Sequence, residues 1–222
     1  AKEGNNIKAF EESGISEFTE GKFNVTIEST RSGIKIKGIS FKLDLTKDIS
    51  KMAEALGDFA DKLGLKEFDK KTAKDILTAY EEAGEKNVEV KCNLENQTIK
   101  IGNELVGKQA VDVIENIISK MEGDAKKKAQ EELKFLKELI GADKQLKFFV
   151  GMVVDKKGSN VVIAAVFGKT KEEREKASKL LQEYASKINL RMNVEILQFA
   201  TGISIDFTNG KGLVTITIED IK

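Results

Sequence analysis

The chain has 222 residues, with 37 basic and 37 acidic side chains, so its formal net charge is zero. Only three of the basic residues are Arg, and a neutral, Arg-poor chain lacks the attraction for phosphate that would favour nucleic acid as a partner. The chain has no His, no Pro and a single Cys. This composition excludes His-dependent catalysis, His-containing metal sites, Cys-pair metal clamps and intrachain disulfides.

The first 20 residues form a polar segment that begins at Ala1 and contains only isolated apolar residues. Its weak periodicity predicts a flexible N-terminal lead over residues 1–20, either a loose arm or a short helix. Such a lead suits a tether to a lipid-modified Cys just upstream, so we expect an exported protein of the cell envelope, with a cytoplasmic one as the alternative. The sequence contains no window of about 20 apolar residues, so no transmembrane segment is predicted.

Two strands and two helices are predicted next. Alternating apolar residues from Phe23 to Leu45 predict a hairpin, and a one-residue slip in the alternation at Gly38 predicts a β-bulge. Apolar residues at spacings of three and four then predict two amphipathic helices. Thr46 and Asp69 are the predicted N-caps, and glycines 64 and 84 the predicted stops.

A second hairpin is predicted around the Asn96-Gln97 turn, and its alternation places Cys92 in the core. A helix is predicted from about Glu104 to Met121, followed by another that Asp124 caps and that ends near Gly141. On this second helix, residues 126–128 are Lys and residues 131–132 are Glu. This i+4 spacing predicts a solvated face with ion pairs.

The third hairpin is the most apolar part of the chain. Apolar runs at 148–154 and 161–167 flank the polar turn 155–160. Phe149 and Val153 make the first run apolar on its second face as well, so we expect this hairpin to be covered on both sides.

A capping box from Thr170 to Glu173 predicts one more helix, and the chain ends in a predicted three-strand meander that includes Met192, Val194 and an Asn209-Gly210 turn. The order is ββαα, ββαα, ββα, βββ. It predicts an α+β fold of antiparallel hairpins with amphipathic helices layered on them, and a ββαα repeat. We expect a single domain over 21–222, with a sub-boundary at 141–144 as the alternative.

One motif carries a chemical hypothesis. Gly102, Gly107 and Lys108 fit the GxxxxGK pattern of a nucleotide-binding P-loop, between a predicted strand and a predicted helix. Gln109 lacks the hydroxyl that such a loop places on Mg²⁺. The preceding strand alternates as a half-exposed strand does. The favoured interpretation is therefore a glycine turn before a helix.

No carboxylate pair, calcium loop or metal-ligand cluster stands out, so the sequence nominates no catalytic residue, cofactor or metal. We therefore expect a non-enzymatic binding or structural protein that recognises a protein or an apolar small molecule through its sheet–helix layer. The alternatives are a nucleotide-binding enzyme or switch that uses residues 102–109, and a cytoplasmic scaffold subunit. The sequence does not indicate the oligomeric state.

Overall fold

The computed structural model describes residues 2–168, 170–185, 195–199, 202–206 and 215–220. The chain has an α+β fold in which helices pack against an antiparallel sheet. The described helices are α1 (Lys2–Glu12), α2 (Ile49–Lys62), α3 (Lys70–Glu82), α4 (Lys108–Ser119), α5 (Gly123–Ala142) and α6 (Lys171–Ala185), and a 3-10 turn lies at Ile15–Phe18. The strands are β1 (Thr19–Thr30), β2 (Gly33–Asp44), β3 (Asn87–Asn93), β4 (Thr98–Val106), β5 (Lys147–Val154), β6 (Asn160–Gly168), β7 (Glu195–Phe199), β8 (Gly202–Asp206) and β9 (Thr215–Asp220).

The chain divides into two compact units, and neither is continuous in sequence. The first comprises Ala1–Asn103 and Gly151–Val161, and the second comprises Glu104–Val150 and Val162–Lys222. The single domain expected over 21–222 stays a prediction. The alternative sub-boundary at 141–144 falls within α5 and the following turn, inside the second unit. Sequence composition gives no linker signal at the actual divisions, because they fall inside strands rather than in loops.

The strand order in the first unit is β1-β2-β3-β4-β5-β6, with β5 and β6 contributing only residues 151–161. The β1–β2 and β2–β3 pairs are antiparallel. The bulge predicted at Gly38 is confirmed: Thr26 pairs with Gly38 and Ile27 with Ile36, which leaves Lys37 as the extra residue of β2.

Four aromatic rings anchor the helices of the first unit on its sheet. The ring of Phe41 on β2 lies 5.8 Å from that of Phe59 on α2, and the ring of Phe10 on α1 lies 5.1 Å from that of Phe41. Phe23 on β1 completes the group, with its ring 4.7 Å from that of Phe10. Edge and tilted contacts of this kind stabilise a core beyond simple area burial.

The N-terminal segment differs from the expected flexible lead. Residues 2–12 are α-helical, and Ala9, Phe10 and Ile15 are buried. The segment matches the alternative prediction, a short helix. Its apolar residues are too few to give a periodic signal, but Phe10 packs into the aromatic cluster on the sheet.

Three predicted helix starts are corrected. Asp48, not Thr46, caps α2, because the Asp48 side chain accepts a hydrogen bond from the Lys51 N–H while Thr46 bonds to Asp44. Helix α4 begins at Lys108 rather than Glu104, since β4 runs on to Val106. Helix α5 begins at Gly123, so Asp124 lies in its first turn rather than at its cap. The predicted cap at Asp69 is confirmed, as are the stops at glycines 64 and 84.

The first run of the third hairpin is covered as predicted, whereas the side chains at 161 and 165–167 of the second run lie outside those that the structure describes. Phe148, Val150, Met152 and Val154 are buried, Phe149 on the other face is only 5 % exposed, and Val153 is half-buried. Gly151 lies between them because a Cβ there would collide with the backbone of Ile101 on β4.

In the second unit the strand order is β4-β5-β6-β9-β8-β7, with β4 contributing residues 104–106. Helix α5 packs on α4 and on α6. The terminal strands pair antiparallel, β7 with β8 and β8 with β9, but β6 pairs with β9 in parallel. Parallel pairing was not expected from the hairpin-dominated pattern. Met192, Val194 and the Asn209-Gly210 turn lie outside the described residues.

Candidate functional site

The first unit contains a cavity of about 310 Å³ at one end of its sheet, which we call the end cavity. Leu63 and Leu65, which lie just after helix α2, supply one wall. The start of β2 and the β3–β4 turn supply the rest, and Asn6 of α1 lies at its margin. The other lining residues are Lys35, Ile36, Cys92, Asn93, Leu94, Glu95, Gln97 and Thr98.

Cys92 is the thiol of this cavity, and it is buried. It lies opposite Ile39 on β2 and Ile99 on β4 in the sheet. Burial raises the pKa of the Cys92 thiol well above its usual range, so the group remains a neutral thiol at physiological pH. This environment suits packing against an apolar ligand and not nucleophilic attack.

The β3–β4 turn that closes the cavity is held by its own side chains. The Asn93 Oδ1 atom accepts hydrogen bonds from the N–H groups of Glu95 at 3.0 Å and Asn96 at 3.2 Å. The Thr98 hydroxyl donates to Asn96 Oδ1 at 2.8 Å. Gln97 adopts a left-handed backbone conformation with φ 53°, which non-glycine residues rarely adopt. The turn is therefore a preformed wall.

Charged side chains form the rim of the cavity. Lys35 Nζ lies 3.4 Å from Glu95 Oε1, and Lys37 Nζ lies 3.0 Å from Glu28 Oε2 and 3.8 Å from Glu95 Oε1. The hydrogen bond that Lys37 donates to Glu28, together with the negative charges of Glu28 and Glu95, raises the pKa of Lys37. Because these ion pairs are largely exposed, they contribute little to the free energy of unfolding. Their main effect is to fix the positions of the charged side chains at the rim.

An apolar strip continues from the cavity along the β1–β2 hairpin. Ile36, which lines the cavity, pairs with Ile27 on β1. Ile27 is 58 % exposed, and Ile34 on β2 is 67 % exposed. We call Phe23, Ile27 and Ile34 the hairpin strip. Large apolar side chains that are exposed together mark an interaction surface more often than isolated ones do.

The structure places the P-loop candidates differently from a nucleotide-binding loop. Gly102 lies inside β4, and the strand continues to Val106. Gly107 precedes α4 in a turn with φ 44°, and Lys108 is the exposed first residue of the helix. Residues 103–106, which would wrap a phosphate, are thus extended strand.

Two backbone donors of this motif are also already used. The Asn103 N–H donates to the phenol oxygen of Tyr80 at 2.9 Å, and the Gly107 N–H donates to the Leu146 carbonyl at 3.2 Å. A P-loop leaves such groups free to point at phosphate oxygens. At Gly107 this turn comes close to Lys144, whose carbonyl oxygen would lie 3.0 Å from a Cβ atom added at position 107. The glycine therefore allows this close approach.

Asp155, just after β5, organises the β5–β6 turn. Its Oδ1 atom accepts hydrogen bonds from the N–H groups of Lys157 at 2.9 Å and Ser159 at 3.1 Å. Next to it, the Asn160 side chain accepts from the Asp69 N–H at 2.9 Å and donates to the Glu67 carbonyl at 2.8 Å. This amide attaches the β5–β6 turn to the loop between α2 and α3.

Sequence reasoning missed one buried carboxylate. Glu132 on α5, predicted to lie on a solvated face with residues 126–128, is 1 % exposed. It lies on the side of the helix that carries Ala129, Phe135 and Leu136, so the buried face is wider than the apolar pattern indicated. Glu131, Lys127 and Lys128 are exposed, as expected for the rest of that run.

Within the described residues, no group of three or more Cys, Asp or Glu side chains is placed to hold a metal ion. In the same part of the chain, no helix is both long enough and apolar enough to cross a bilayer. The end cavity combines apolar walls with a charged rim, and it is the candidate ligand site of the first unit. No protein-family model matches the chain, and no curated protein or solved structure matches it either.

Proposed function

We propose that this protein is a non-enzymatic binding protein that holds a small apolar molecule with a polar or charged end in the end cavity. The observation that carries the proposal is the lining of that cavity. Ile36, Leu63, Leu65 and Leu94 supply apolar walls, while Lys35 and Glu95 supply charges at the rim. Ligand sites in proteins combine apolar walls with polar groups that fix the ligand's orientation, and about 300 Å³ is the lower end of their usual volume. Apolar and polar residues line the end cavity in nearly equal numbers, which suits a molecule with both kinds of surface.

The chemistry around the cavity favours binding over turnover. The buried thiol of Cys92 has a raised pKa, and the rim carboxylates lie in exposed ion pairs. A general acid or base needs a pKa close to the working pH and a position within reach of the bound molecule. A neutral thiol does not meet that requirement, which supports a cavity that holds a ligand without transforming it.

The proposal is tested with 8-anilinonaphthalene-1-sulfonate, whose fluorescence rises when its rings enter an apolar site and whose sulfonate can approach Lys35. We expect saturable binding with one site per chain. Leu63→Trp fills the cavity from its α2 wall and should weaken binding by at least about tenfold, because the lost apolar contact and the steric overlap act together.

The matched control is Lys62→Trp, which adds the same ring to the same helical turn on its exposed side. It should bind the probe as the wild type does. The absence of saturable binding, or equal binding by Leu63→Trp and the wild type, would refute the cavity as the site. Thermal unfolding of all three proteins should be cooperative. This control is needed because the probe also binds loosely packed structure.

We also propose that the protein works in the cell envelope, with a cytoplasmic scaffold as the alternative. The experiment is fractionation of cells that produce the protein, with a palmitate label to detect a lipid anchor. Recovery in the cytoplasmic fraction without label would favour the scaffold alternative instead.

A further inference from the structure

Gln97, in the β3–β4 turn, has an unfavourable backbone conformation. Its φ of 53° lies in the left-handed region, and every other described residue with a positive φ is a glycine. Glycine occupies this region freely, whereas a side chain disfavours it. Residues that keep such a conformation cluster at ligand sites, where the side chain has a role that a glycine could not fill.

The Gln97 side chain reaches toward the opposite wall of the end cavity. Gln97 lines that cavity together with Leu63 and Leu65. A Cβ atom added at Gly64, between the two leucines, would lie 4.0 Å from the Gln97 Nε2 atom. The amide nitrogen of the turn therefore lies beside the apolar wall that follows α2.

The amide of Gln97 is not used by the turn itself. The Asn93 Oδ1 atom accepts hydrogen bonds from turn N–H groups, and the Thr98 hydroxyl donates to Asn96. Gln97, in contrast, makes no side-chain hydrogen bond with the described part of the chain. Its amide is therefore available to a molecule that enters the cavity.

The two groups best placed to meet the polar end of such a molecule are donors. Gln97 presents Nε2, with two N–H groups, on the side of Gly64. Lys35 also lines the cavity, and its ammonium carries three protons, more than its ion pair with Glu95 requires. Donors of this kind bind the oxygens of a carboxylate or a sulfonate.

We propose that Gln97 recognises the polar end of the molecule in the end cavity, and that this end carries acceptor oxygens, as in a medium-chain carboxylate. Gln97 Nε2 and Lys35 Nζ donate to those oxygens, while the alkyl chain lies against the leucines. The inference rests on the proposed binding function and goes further by naming the class of ligand and the residue that recognises it.

Competition tests the ligand class. The wild-type protein is loaded with 8-anilinonaphthalene-1-sulfonate, and octanoate or octylamine is added, two molecules with similar alkyl chains and opposite charges. Octanoate should displace the probe at a concentration at least about tenfold lower than octylamine does. Equal displacement, or stronger displacement by octylamine, would overturn recognition of acceptor oxygens.

An isosteric substitution tests the residue. Gln97→Glu keeps the shape of an exposed side chain and replaces the donor with a carboxylate that repels the oxygens of the ligand. Affinity for the probe and for octanoate should fall by at least about tenfold. Gln130→Glu is the matched control, because it introduces the same charge at an exposed position of α5. It should bind as the wild type does.

Gln97→Gly separates recognition from structure. It removes the amide and relieves the left-handed backbone, so the melting temperature should rise by about 2–4 °C. Affinity for the probe should nevertheless fall by about fivefold, because one hydrogen bond to the ligand is lost. A residue that served only the turn would show no such opposition between stability and binding.

The outcomes distinguish this inference from the proposed function. If the wild type binds the probe and Leu63→Trp weakens binding, but Gln97→Glu and Gln97→Gly bind as the wild type does, the cavity is the site and Gln97 does not recognise the ligand. If the wild type shows no saturable binding, the proposed function fails and this inference fails with it.

Discussion

The backbone nitrogen of Asn103 lies 2.9 Å from the phenol oxygen of Tyr80, at the point where β4 stops pairing with β3. Here the Asn103 side chain replaces the hydrogen bonds of the β-ladder. Its Oδ1 atom accepts a hydrogen bond from the Glu89 N–H at 2.8 Å, and its Nδ2 atom donates one to the Asn87 carbonyl at 2.7 Å. One amide and one phenol thus satisfy backbone groups that a regular sheet would pair with each other.

Removing the phenol oxygen should therefore destabilise the protein. Tyr80→Phe leaves the ring in place but takes away the acceptor of the Asn103 N–H, and an unsatisfied buried group of this kind costs about 1–3 kcal/mol. Urea denaturation measures the loss. In the double variant Tyr80→Phe/Asn103→Ala the losses should be less than additive, because both residues serve one network; strict additivity would argue against that network.

Alkaline pH should act through the same phenol. Burial raises the pKa of Tyr80 above its ordinary value of 10.0, so the folded state holds the proton more tightly than the unfolded chain does. The associated stability is complete below about pH 10 and is lost as the pH rises further. Tyr80→Phe should flatten the decline of unfolding free energy above pH 10, followed by denaturation at several pH values; an unchanged slope would contradict this assignment.

Gly151 should tolerate no side chain. An added Cβ would collide with the carbonyl of Ile101 and would lie 2.9 Å from the Gly102 Cα atom, so the backbone of one strand would have to move. Gly151→Ala should cost at least about 2 kcal/mol. Gly141→Ala is the matched control, because its Cβ would meet no atom within 4 Å on helix α5. It should raise stability by about 0.5–1 kcal/mol, and equal effects in thermal melts would refute the explanation.

Acid should weaken the cap of α3. Burial opposes ionisation of Asp69, but hydrogen bonds from the Thr72 N–H at 3.1 Å and the Thr72 hydroxyl at 2.7 Å prevail and lower the pKa of Asp69. The stability linked to this carboxylate is present above its unfolded pKa of about 4. It is lost as the pH falls through the lower folded value. Asp69→Ala should cost about 1 kcal/mol at pH 7, and the difference from wild type should shrink at pH 2–3.

Nucleotide should not stabilise the protein. The Asn103 and Gly107 N–H groups are bonded to Tyr80 and Leu146, and the residues between the two glycines are strand. Millimolar Mg²⁺–ATP or Mg²⁺–GTP should therefore leave the melting temperature unchanged, in the wild type and in Lys108→Ala alike. A rise in the wild type that Lys108→Ala abolishes would restore the nucleotide hypothesis.

Periodicity predicted those parts of the fold that depend on apolar burial. The apolar character of both faces of β5 and the cap at Asp69 could be predicted from the local sequence, because each depends on contacts within one element or with its immediate neighbour. The strands of the hairpins and the bulge at Gly38 follow for the same reason. A local apolar pattern indicates which face of a helix or strand is buried. It therefore predicts those features of the fold that burial determines.

The end cavity and the Tyr80–Asn103 network could not be predicted in this way. Residues 23 positions apart meet in that network, and the cavity draws its lining from α1, β2, the end of α2 and the β3–β4 turn. No spacing rule relates a phenol on one helix to a backbone N–H on a later strand. Glu132 shows the same limit, since only the packing around α5 determines how wide its buried face is.

The divided sequence of the first unit has a consequence for biosynthesis. Residues 151–161 complete that unit, and Asn160 bonds to the loop at Glu67 and Asp69 across more than 90 positions. A ribosome that has synthesised only the first 103 residues has not yet made the segment that Ile101 lies against. Since nascent domains fold as units once their residues have emerged, we expect the N-terminal helices and strands to wait, exposed to chaperones and proteases, for a piece translated some 50 codons later.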